Sequence, residues 1–186
     1  YFVVPIGSDS QHFVLRLASS DRDLRAAQRL RYTVFVEELG ADGLLVDHAA
    51  RLERDAFDPT FDHLMLIDTR RDAAALDDVV GVYRLLTSDR AAVTGRFYSE
   101  DEFDLSVLKA SGRRLLELGR SCVHADYRGG TAMLQLWNGL ADYVLEREIE
   151  VLFGAASFHG TDIAALAQPL SWLHHNHLAP ETLRVR

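Results

Sequence analysis

The sequence of 186 residues lacks the features that mark exported or membrane-spanning proteins. Cys122 is the only cysteine, so an intramolecular disulfide is impossible and no oxidising compartment is required. No uninterrupted apolar run approaches the roughly 18 residues of a spanning helix, and the N-terminus has no charged segment followed by an apolar one. We therefore predict a cytoplasmic protein without a spanning helix.

The sequence also has no excess of positive charge. The formal net charge is -8, which argues against nucleic-acid binding because phosphate binding requires a basic surface. Of the 20 cationic residues only Lys109 is a lysine. The arginines can bind phosphate or carboxylate through a planar fork, although a GC-rich genome produces the same bias.

What the sequence does contain predicts one α/β domain. A hydrophobic content of 48% is enough for one substantial core, and short apolar runs alternate with helical periodicity. This alternation favours a layered sheet with helices on its faces. We predict strands at 12–18, 63–68, 79–86, 115–123, 151–155 and 183–185, helices at 24–36, 131–147 and 162–174, and loops at 42–62 and 87–114.

Several charged residues fall inside apolar patterns. Arg31 lies on the apolar face of the first predicted helix, and Arg84 shares a strand face with Val80, Val82 and Leu86. In the strand 115–123, Glu117 alternates with the leucines, and Arg120 is predicted to lie on the leucine face. Burying such groups is costly unless they are paired, so they predict either an active-site network or structural ion pairs.

Two loop aspartates are candidate partners for these arginines. Asp55 and Asp58 are close enough in the chain to converge on one cation, which is either a protein arginine or the ammonium group of a substrate. The alternative is ordinary turn and cap chemistry, since Asp58 precedes Pro59.

A glycine-containing turn precedes the helix predicted at 131–147. Arg128, Gly129 and Gly130 combine a cation with backbone that a ligand can approach closely, and free N–H groups at a helix start favour an anion. This pattern predicts a phosphate site, with a plain strand-to-helix turn as the alternative.

Two further groups are predicted to have no chemical role. Cys122 lies in an apolar strand, which is typical of a buried, inert thiol. His174, His175 and His177 resemble a metal-binding tract, but histidines are favoured at a helix C-terminus and no close cysteine or acidic ligand accompanies them. We therefore predict no metal site.

In combination, these residues resemble a known family. The ordered set is similar to the acyl-homoserine-lactone synthases and, within that group, most similar to the ornithine-lipid acyltransferases, the L-ornithine N-α-acyltransferases. The resemblance covers nearly the whole chain from Arg31 onward. It is carried by Arg31-Tyr-Thr-Val-Phe35, Glu37-Glu38-x-Gly40, Asp55-x-x-Asp58, Gly81-x-x-Arg84-Leu-Leu, Phe97-Tyr98, Phe103-Asp104-Leu105-Ser106 and Glu117-Leu-Gly-Arg120-Ser121.

This resemblance implies a GNAT-like fold with a mixed central sheet flanked by helices. It also implies transfer of a 3-hydroxyacyl chain from acyl carrier protein to the α-amine of L-ornithine, which forms lyso-ornithine lipid. Acetyl-CoA enzymes of this fold carry Gln/Arg-x-x-Gly-x-Gly/Ala at the phosphate turn, which the chain departs from at Arg128 to Ala132. A reduced phosphate cradle would suffice for the single phosphodiester of carrier-bound phosphopantetheine, and no bound cofactor is expected.

The resemblance also suggests a role for each candidate residue. Glu117 is the expected base because a carboxylate in an apolar strand holds a proton more readily than one in water. Arg84 and Arg120 would orient it, and backbone N–H groups near Arg120 to Cys122 would face the oxyanion. The predicted substrate-binding residues are Arg31, Asp55, Asp58 and Ser121, and the predicted phosphopantetheine-binding residues are Arg128, Gly129 and Gly130.

Other readings remain open. One is a signal synthase that uses S-adenosylmethionine, although those synthases typically have an N-terminal tryptophan and none occurs here before Trp137. Another is acylation of a different amino acid such as glutamine, and a third is a non-catalytic module that binds acyl carrier protein. The lipid product would favour peripheral contact with the inner face of the membrane. Members of the family usually continue past the last residue here, so we expect a single domain over residues 1–186 that lacks a C-terminal extension.

Overall fold

A mixed five-stranded sheet forms the centre of the protein, and its strands lie side by side in chain order. The computed structural model describes residues 10–158 and 160–186. The first four strands are antiparallel neighbours, whereas the fourth and fifth run parallel. The strands are β1 (Phe13–Leu17), β2 (Asp62–Asp68), β3 (Val79–Thr87), β4 (Leu115–Val123) and β5 (Val151–Phe153).

Helices cover both faces of this sheet. One face packs against Leu136 and Leu140 of the fourth helix, and the other packs against Ala27 and Leu30 of the first. None of the helices in the described ranges is both long and apolar enough to cross a bilayer. The helices are α1 (Asp21–Arg31), α2 (Ser88–Thr94), α3 (Ser106–Ala110), α4 (Ala132–Glu146) and α5 (Ile163–His177).

The first helix has a side-chain cap at its N-terminus and changes from α-helical to π-helical hydrogen bonding after Arg31. The Ser20 side chain accepts the N–H of Asp23 and caps α1. The chain continues directly as a π-helix over Tyr32–Glu38 and stops before Gly40, whose φ of 71° suits glycine. π-Helical turns are frequent at functional sites, and this one carries Phe35 to the cleft described below.

Residues 87–114 are more regular than the loop predicted for them. They form α2, a 3₁₀ turn at Tyr98–Asp101 and α3. Phe97, Leu105 and Leu108 are buried and pack with Leu115 of β4 in a third core cluster, whereas Val93 and Phe103 are exposed. The sequence pattern of this polar segment did not reveal these buried residues, because each of its short elements buries only one or two side chains.

The strand predicted at 183–185 is wrong. A 3₁₀ turn occupies Glu181–Leu183, and the backbone of Arg186 pairs with Asp104 through N···O distances of 2.7 and 3.3 Å. Leu183 and Val185 pack against the third core cluster instead of joining the sheet.

Helical periodicity over 131–147 predicts one apolar face that includes Met133, Leu136, Trp137 and Leu140, and this prediction is partly wrong. Leu136 and Leu140 are buried as expected, but Met133 and Trp137 are 41% and 50% exposed. Tyr143 takes a buried position instead, where its hydroxyl donates to Asp62 at 2.8 Å.

Candidate active site

A bulge interrupts β4 at the centre of the candidate site. Val82 of β3 pairs with Cys122 and Arg84 pairs with Gly119, so β4 has one residue more than β3 between these pairs. Arg120 lies in this extra length and has a φ of 47°, in the left-handed region that non-glycine residues rarely adopt. Such strain is retained where the surrounding structure requires a particular side-chain direction.

The bulge redirects Arg120. The expectation that it shares the face of Leu116 and Leu118 is wrong, because those leucines pack in the core cluster beneath α4. Arg120 instead turns to the opposite face, where its Nε donates to Glu53 Oε1 at 3.2 Å. Simple alternation along a strand holds only while the ladder is regular.

Arg31 forms the buried centre of an ion network. Its side chain is 0% exposed, and its Nε lies 2.5 Å from Glu53 Oε2 while Nη1 and Nη2 lie 2.7 and 3.0 Å from the two oxygens of Asp58. Burial alone would lower the pKa of Arg31, but the charges of Asp58 and Glu53 outweigh it and raise that pKa above its ordinary value. Arg31 is therefore a fixed cation that holds two loop carboxylates in place.

Asp58 is fully occupied by protein donors. Besides Arg31, it accepts from Gln28 Nε2 at 2.8 Å, from Arg84 Nη1 at 3.2 Å and from the backbone N–H of Asp55 at 3.2 Å. Burial would raise the pKa of Asp58, but the arginines lower it to about 2. This geometry leaves no room for a substrate ammonium at Asp58 and fits a residue that organises the loop.

Asp55 is the more accessible of the two predicted aspartates. It forms an ion pair with Arg84, whose side chain is 1% exposed, whereas the Asp55 side chain is 18% exposed. The loop fixes Asp55 through a hydrogen bond from the Phe57 N–H at 2.8 Å. Arg84 also stacks on Phe61, with its Cζ 4.2 Å from the ring centroid. Asp55 thus reaches outward from a rigid, buried support.

The structure adds residues that the sequence analysis missed. Glu53 links Arg31 to Arg120, and His63 Nε2 donates to the backbone oxygen of Asp58 at 3.0 Å. Burial is the main cause that lowers the pKa of His63, so its ring is neutral at physiological pH. The one available signal for Glu53 was its position two residues before Asp55, which gives the loop alternating carboxylates.

A cleft of about 350 Å³ opens beside this network. Its polar lining includes three members of the network together with two further charged residues, and its other walls are mainly apolar. An apolar wall with a few convergent charges is the usual form of a small-molecule site. The polar lining is Glu53, Arg54, Asp55, Arg120 and Asp42, and the apolar lining includes Phe35, Val36, Leu44, Leu45 and Val46.

Glu117 lies outside this cleft. Its side chain is 1% exposed, and its carboxylate accepts the backbone N–H groups of Tyr98 and Ser99, both at 2.7 Å, together with the Ser99 hydroxyl. These bonds cap the 3₁₀ turn of Tyr98–Asp101. The geometry fits a positioning role better than the role of a base that was predicted for Glu117.

The sheet opens next to the bulge. β4 and β5 pair only over Leu115–Glu117 and Val151–Phe153. Gly154 then passes so close to the Leu118 carbonyl that a Cβ there would overlap it. Beyond this point, no residue in the described part of β5 pairs with 118–123, so one edge of β4 is left open. Ser121 lies within this open stretch and is half-buried.

The predicted phosphate turn is at the end of the same strand. Arg128 donates to the backbone oxygen of Val123 at 3.0 Å and pairs with Glu38 at 2.6 Å, and Gly129 has a φ of 77°. Across the described residues, no side chain caps the N-terminus of α4 at Thr131. The turn therefore presents backbone N–H groups and a guanidinium close to the open edge of β4.

Cys122 is buried, as the sequence predicted. Its pKa is raised to about 12, chiefly by burial. A thiol in this state is a poor nucleophile.

The mixed sheet opens between two parallel strands, and a carboxylate-lined cleft lies beside this opening. The chain belongs to the acetyltransferase (GNAT) domain family, because residues 30–138 match the sequence profile of that family. This membership confirms the fold class implied by the resemblance of its motifs.

Two similar proteins are named L-ornithine N(α)-acyltransferase. The one from Rhodobacter capsulatus is 67% identical over 174 residues, which cover 94% of this chain and 67% of that protein. The one from Brucella abortus is 43% identical over 174 residues, 92% of this chain and 62% of that protein. The chain thus spans roughly two thirds or less of the length of these relatives.

Two solved structures share the fold. An N-acyl amino acid synthase, FeeM, from uncultured soil microbes has a TM-score of 0.54 at 15% identity, covering 87% of this chain and 77% of that chain. The AHL synthase LasI has a TM-score of 0.55 at 18% identity, covering 86% and 77%. At these identities the likeness concerns the fold.

Proposed function

We propose that this protein acylates the α-amine of L-ornithine with a 3-hydroxyacyl chain delivered on acyl carrier protein, which yields lyso-ornithine lipid. The observation that carries the proposal is the cleft in which Glu53, Asp55 and Arg120 converge beside the open edge of β4. The names of the two relatives support ornithine as the amine.

The amine side of the reaction fits the carboxylates that line the cleft. An amino acid binds as an ammonium ion, which Asp55 and Glu53 attract, and the ammonium must lose a proton before its nitrogen can attack. We assign this proton transfer to a carboxylate of the cleft, directly or through water, and leave Glu117 to support the 3₁₀ turn. Arg31, Arg84 and Asp58 hold both acceptors rigidly from behind.

The donor side fits the open edge of β4. Extended phosphopantetheine carries amide groups that can pair with an open strand edge, in the manner of strand addition. Backbone N–H groups near Arg120, Ser121 and Cys122 would stabilise the oxyanion as the amine nitrogen attacks the thioester carbon. The C–S bond then breaks, and the thiolate takes up a proton. The turn at Arg128 would receive the phosphate.

The acyl product would be lipid-like, so we also propose that the protein works in peripheral contact with the inner face of the membrane. Such contact requires no spanning helix.

A panel of donors and amines tests this proposal. The protein is incubated with 3-hydroxyacyl carrier protein or the matching acyl-CoA, and with L-ornithine, L-glutamine or S-adenosylmethionine, and the products are identified by tandem mass spectrometry. We expect N-α-acylornithine, formed faster from the carrier-bound donor. If another amine is acylated in preference, the proposed substrate is wrong. If no amine of the panel is acylated, the proposed acyltransferase activity is refuted.

A further inference from the structure

Tyr98 connects the buried Glu117 to Arg84 and Arg120 of the ion network. Glu117 accepts the backbone N–H of Tyr98 at 2.7 Å and that of Ser99 at 2.7 Å, which fixes the start of the 3₁₀ turn. The Tyr98 ring is held further by an edge-to-face contact with Phe57, with the ring centroids 5.4 Å apart. Its position is therefore set by two independent contacts.

The ring of Tyr98 contacts two cations of the network. Its centroid lies 5.3 Å from Arg84 Cζ and 5.5 Å from Arg120 Cζ. These distances are within the range of cation–π attraction. Both arginines are partners of Asp55, through an ion pair for Arg84 and a 3.9 Å contact for Arg120. Tyr98 thus supports the arginines beside the amine-binding carboxylates.

Polar groups of Tyr98 and Arg120 remain available for a ligand. Arg120 uses only Nε for a hydrogen bond, to Glu53, so in the described structure its two terminal nitrogens have no hydrogen-bond acceptor. The Arg120 side chain is 32% exposed and lines the cleft. The Tyr98 hydroxyl likewise has no acceptor among the described residues, and its side chain is half-buried. Both groups are hydrogen-bond donors, which suits an anionic ligand.

We infer that Tyr98 and Arg120 together bind the α-carboxylate of the amino-acid substrate. This inference rests on the proposed amine acylation and specifies how that site selects its substrate. In an α-amino acid the ammonium and the carboxylate are attached to one carbon, and in the cleft Arg120 is the direct neighbour of Glu53 and Asp55. Matching these adjacent charges places the α-amine, and not a distant side-chain amine, at the carboxylates that receive its proton.

Putrescine provides the test, because it is ornithine without the carboxylate. The variant Tyr98→Phe keeps the ring and removes only the hydroxyl. A lost hydrogen bond to a charged group corresponds to about 10-fold or more in affinity. We expect Tyr98→Phe to lower kcat/KM and binding affinity for L-ornithine by about 10-fold. For putrescine, both quantities should stay within about twofold of those of the unaltered protein.

Tyr83→Phe is the matched control. Tyr83 is on β3 with its ring against Trp137, on the face of the sheet away from the cleft. In this variant the ratio of kcat/KM for ornithine to kcat/KM for putrescine should be unchanged, and so should the ratio of the two affinities. Acyl transfer measures the first ratio and isothermal titration calorimetry the second.

The outcomes separate this inference from the proposed reaction. If Tyr98→Phe lowers kcat/KM and affinity equally for both amines, Tyr98 has a structural role and the carboxylate site is overturned. Equal binding of ornithine and putrescine by the unaltered protein would also overturn the site. An altered KM for the acyl donor alone would also overturn it. If the protein binds ornithine selectively through Tyr98 but transfers no acyl group, the carboxylate site stands and the proposed function falls.

Discussion

Replacing Asp58 with asparagine tests whether the buried charge network holds the fold around the cleft. The Asp58 carboxylate accepts hydrogen bonds from Arg31, Arg84 and Gln28. Asparagine has nearly the same shape, but it removes the charge and directs an amide donor at side chains that are themselves donors. The arginines would then be buried with one carboxylate too few.

Two independent arguments give the expected loss in the free energy of unfolding. The pKa of Asp58 falls from its ordinary 3.8 to about 2 in the folded protein. At about 1.4 kcal/mol per pKa unit this corresponds to about 2 kcal/mol of stability. Removing one partner of a buried ion pair costs about 3–5 kcal/mol in other proteins. We therefore expect Asp58→Asn to lower the free energy of unfolding by about 3 kcal/mol at neutral pH, a large share of a typical 5–15 kcal/mol.

The pH dependence has a definite sign. Because folding lowers the pKa of Asp58, its contribution is fully present above 3.8 and is lost as the pH falls towards 2. The difference in stability between the unaltered protein and Asp58→Asn should therefore be constant near neutrality and shrink below about pH 4.

Urea unfolding followed by circular dichroism at several pH values measures this difference. Asp101→Asn is the matched control, since Asp101 pairs with Arg96 at the surface and should change stability by less than about 1 kcal/mol. A loss below about 1 kcal/mol for Asp58→Asn, or a difference that stays constant down to pH 2, would refute the reasoning.

Three further substitutions test separate parts of the site. Glu117→Gln should lower kcat/KM for the amine by about 10-fold through a weaker hold on Tyr98, while the shape of the pH–rate profile stays unchanged; a lost limb of that profile would identify Glu117 as the base. Cys122→Ala should retain nearly the full rate because burial raises the pKa of the thiol to about 12, and an acylated Cys122 detected by intact mass would contradict this. Arg128→Ala should raise KM for the acyl donor by about 10-fold and leave KM for the amine unchanged; an effect on the amine instead would remove Arg128 from the phosphate site.

The sequence predicted the residues of the network better than their arrangement. Arg31 and Arg84 stood out because a cation within an apolar pattern must be paired, and both are fully buried in the structure. The direction of Arg120 was not predictable, because it depends on a bulge that arises only from the register of β4 against β3. Local alternation carries no information about that register.

The missed residues have nonlocal partners. Glu53 meets Arg31 and Arg120, which lie 22 and 67 positions away, and a loop carboxylate gives no periodic signal of such contacts. Glu117 was recognised as buried and charged, but its partners, Tyr98 and Ser99, belong to a segment predicted as loop. Its role as a base followed from burial alone, whereas the structure provides the hydrogen bonds that assign it to the turn.

The initial rate of ornithine acylation in Asp55→Asn tests the account most directly. Asp55 is the network aspartate that reaches the cleft, and asparagine can still accept from Arg84 while it can neither attract an ammonium ion nor accept its proton. With 3-hydroxyacyl carrier protein as donor and urea unfolding to verify the fold, we predict a kcat/KM for L-ornithine lower by about 100-fold. A folded Asp55→Asn variant that acylates ornithine at the unaltered rate would contradict the assignment of this cleft as the amine site.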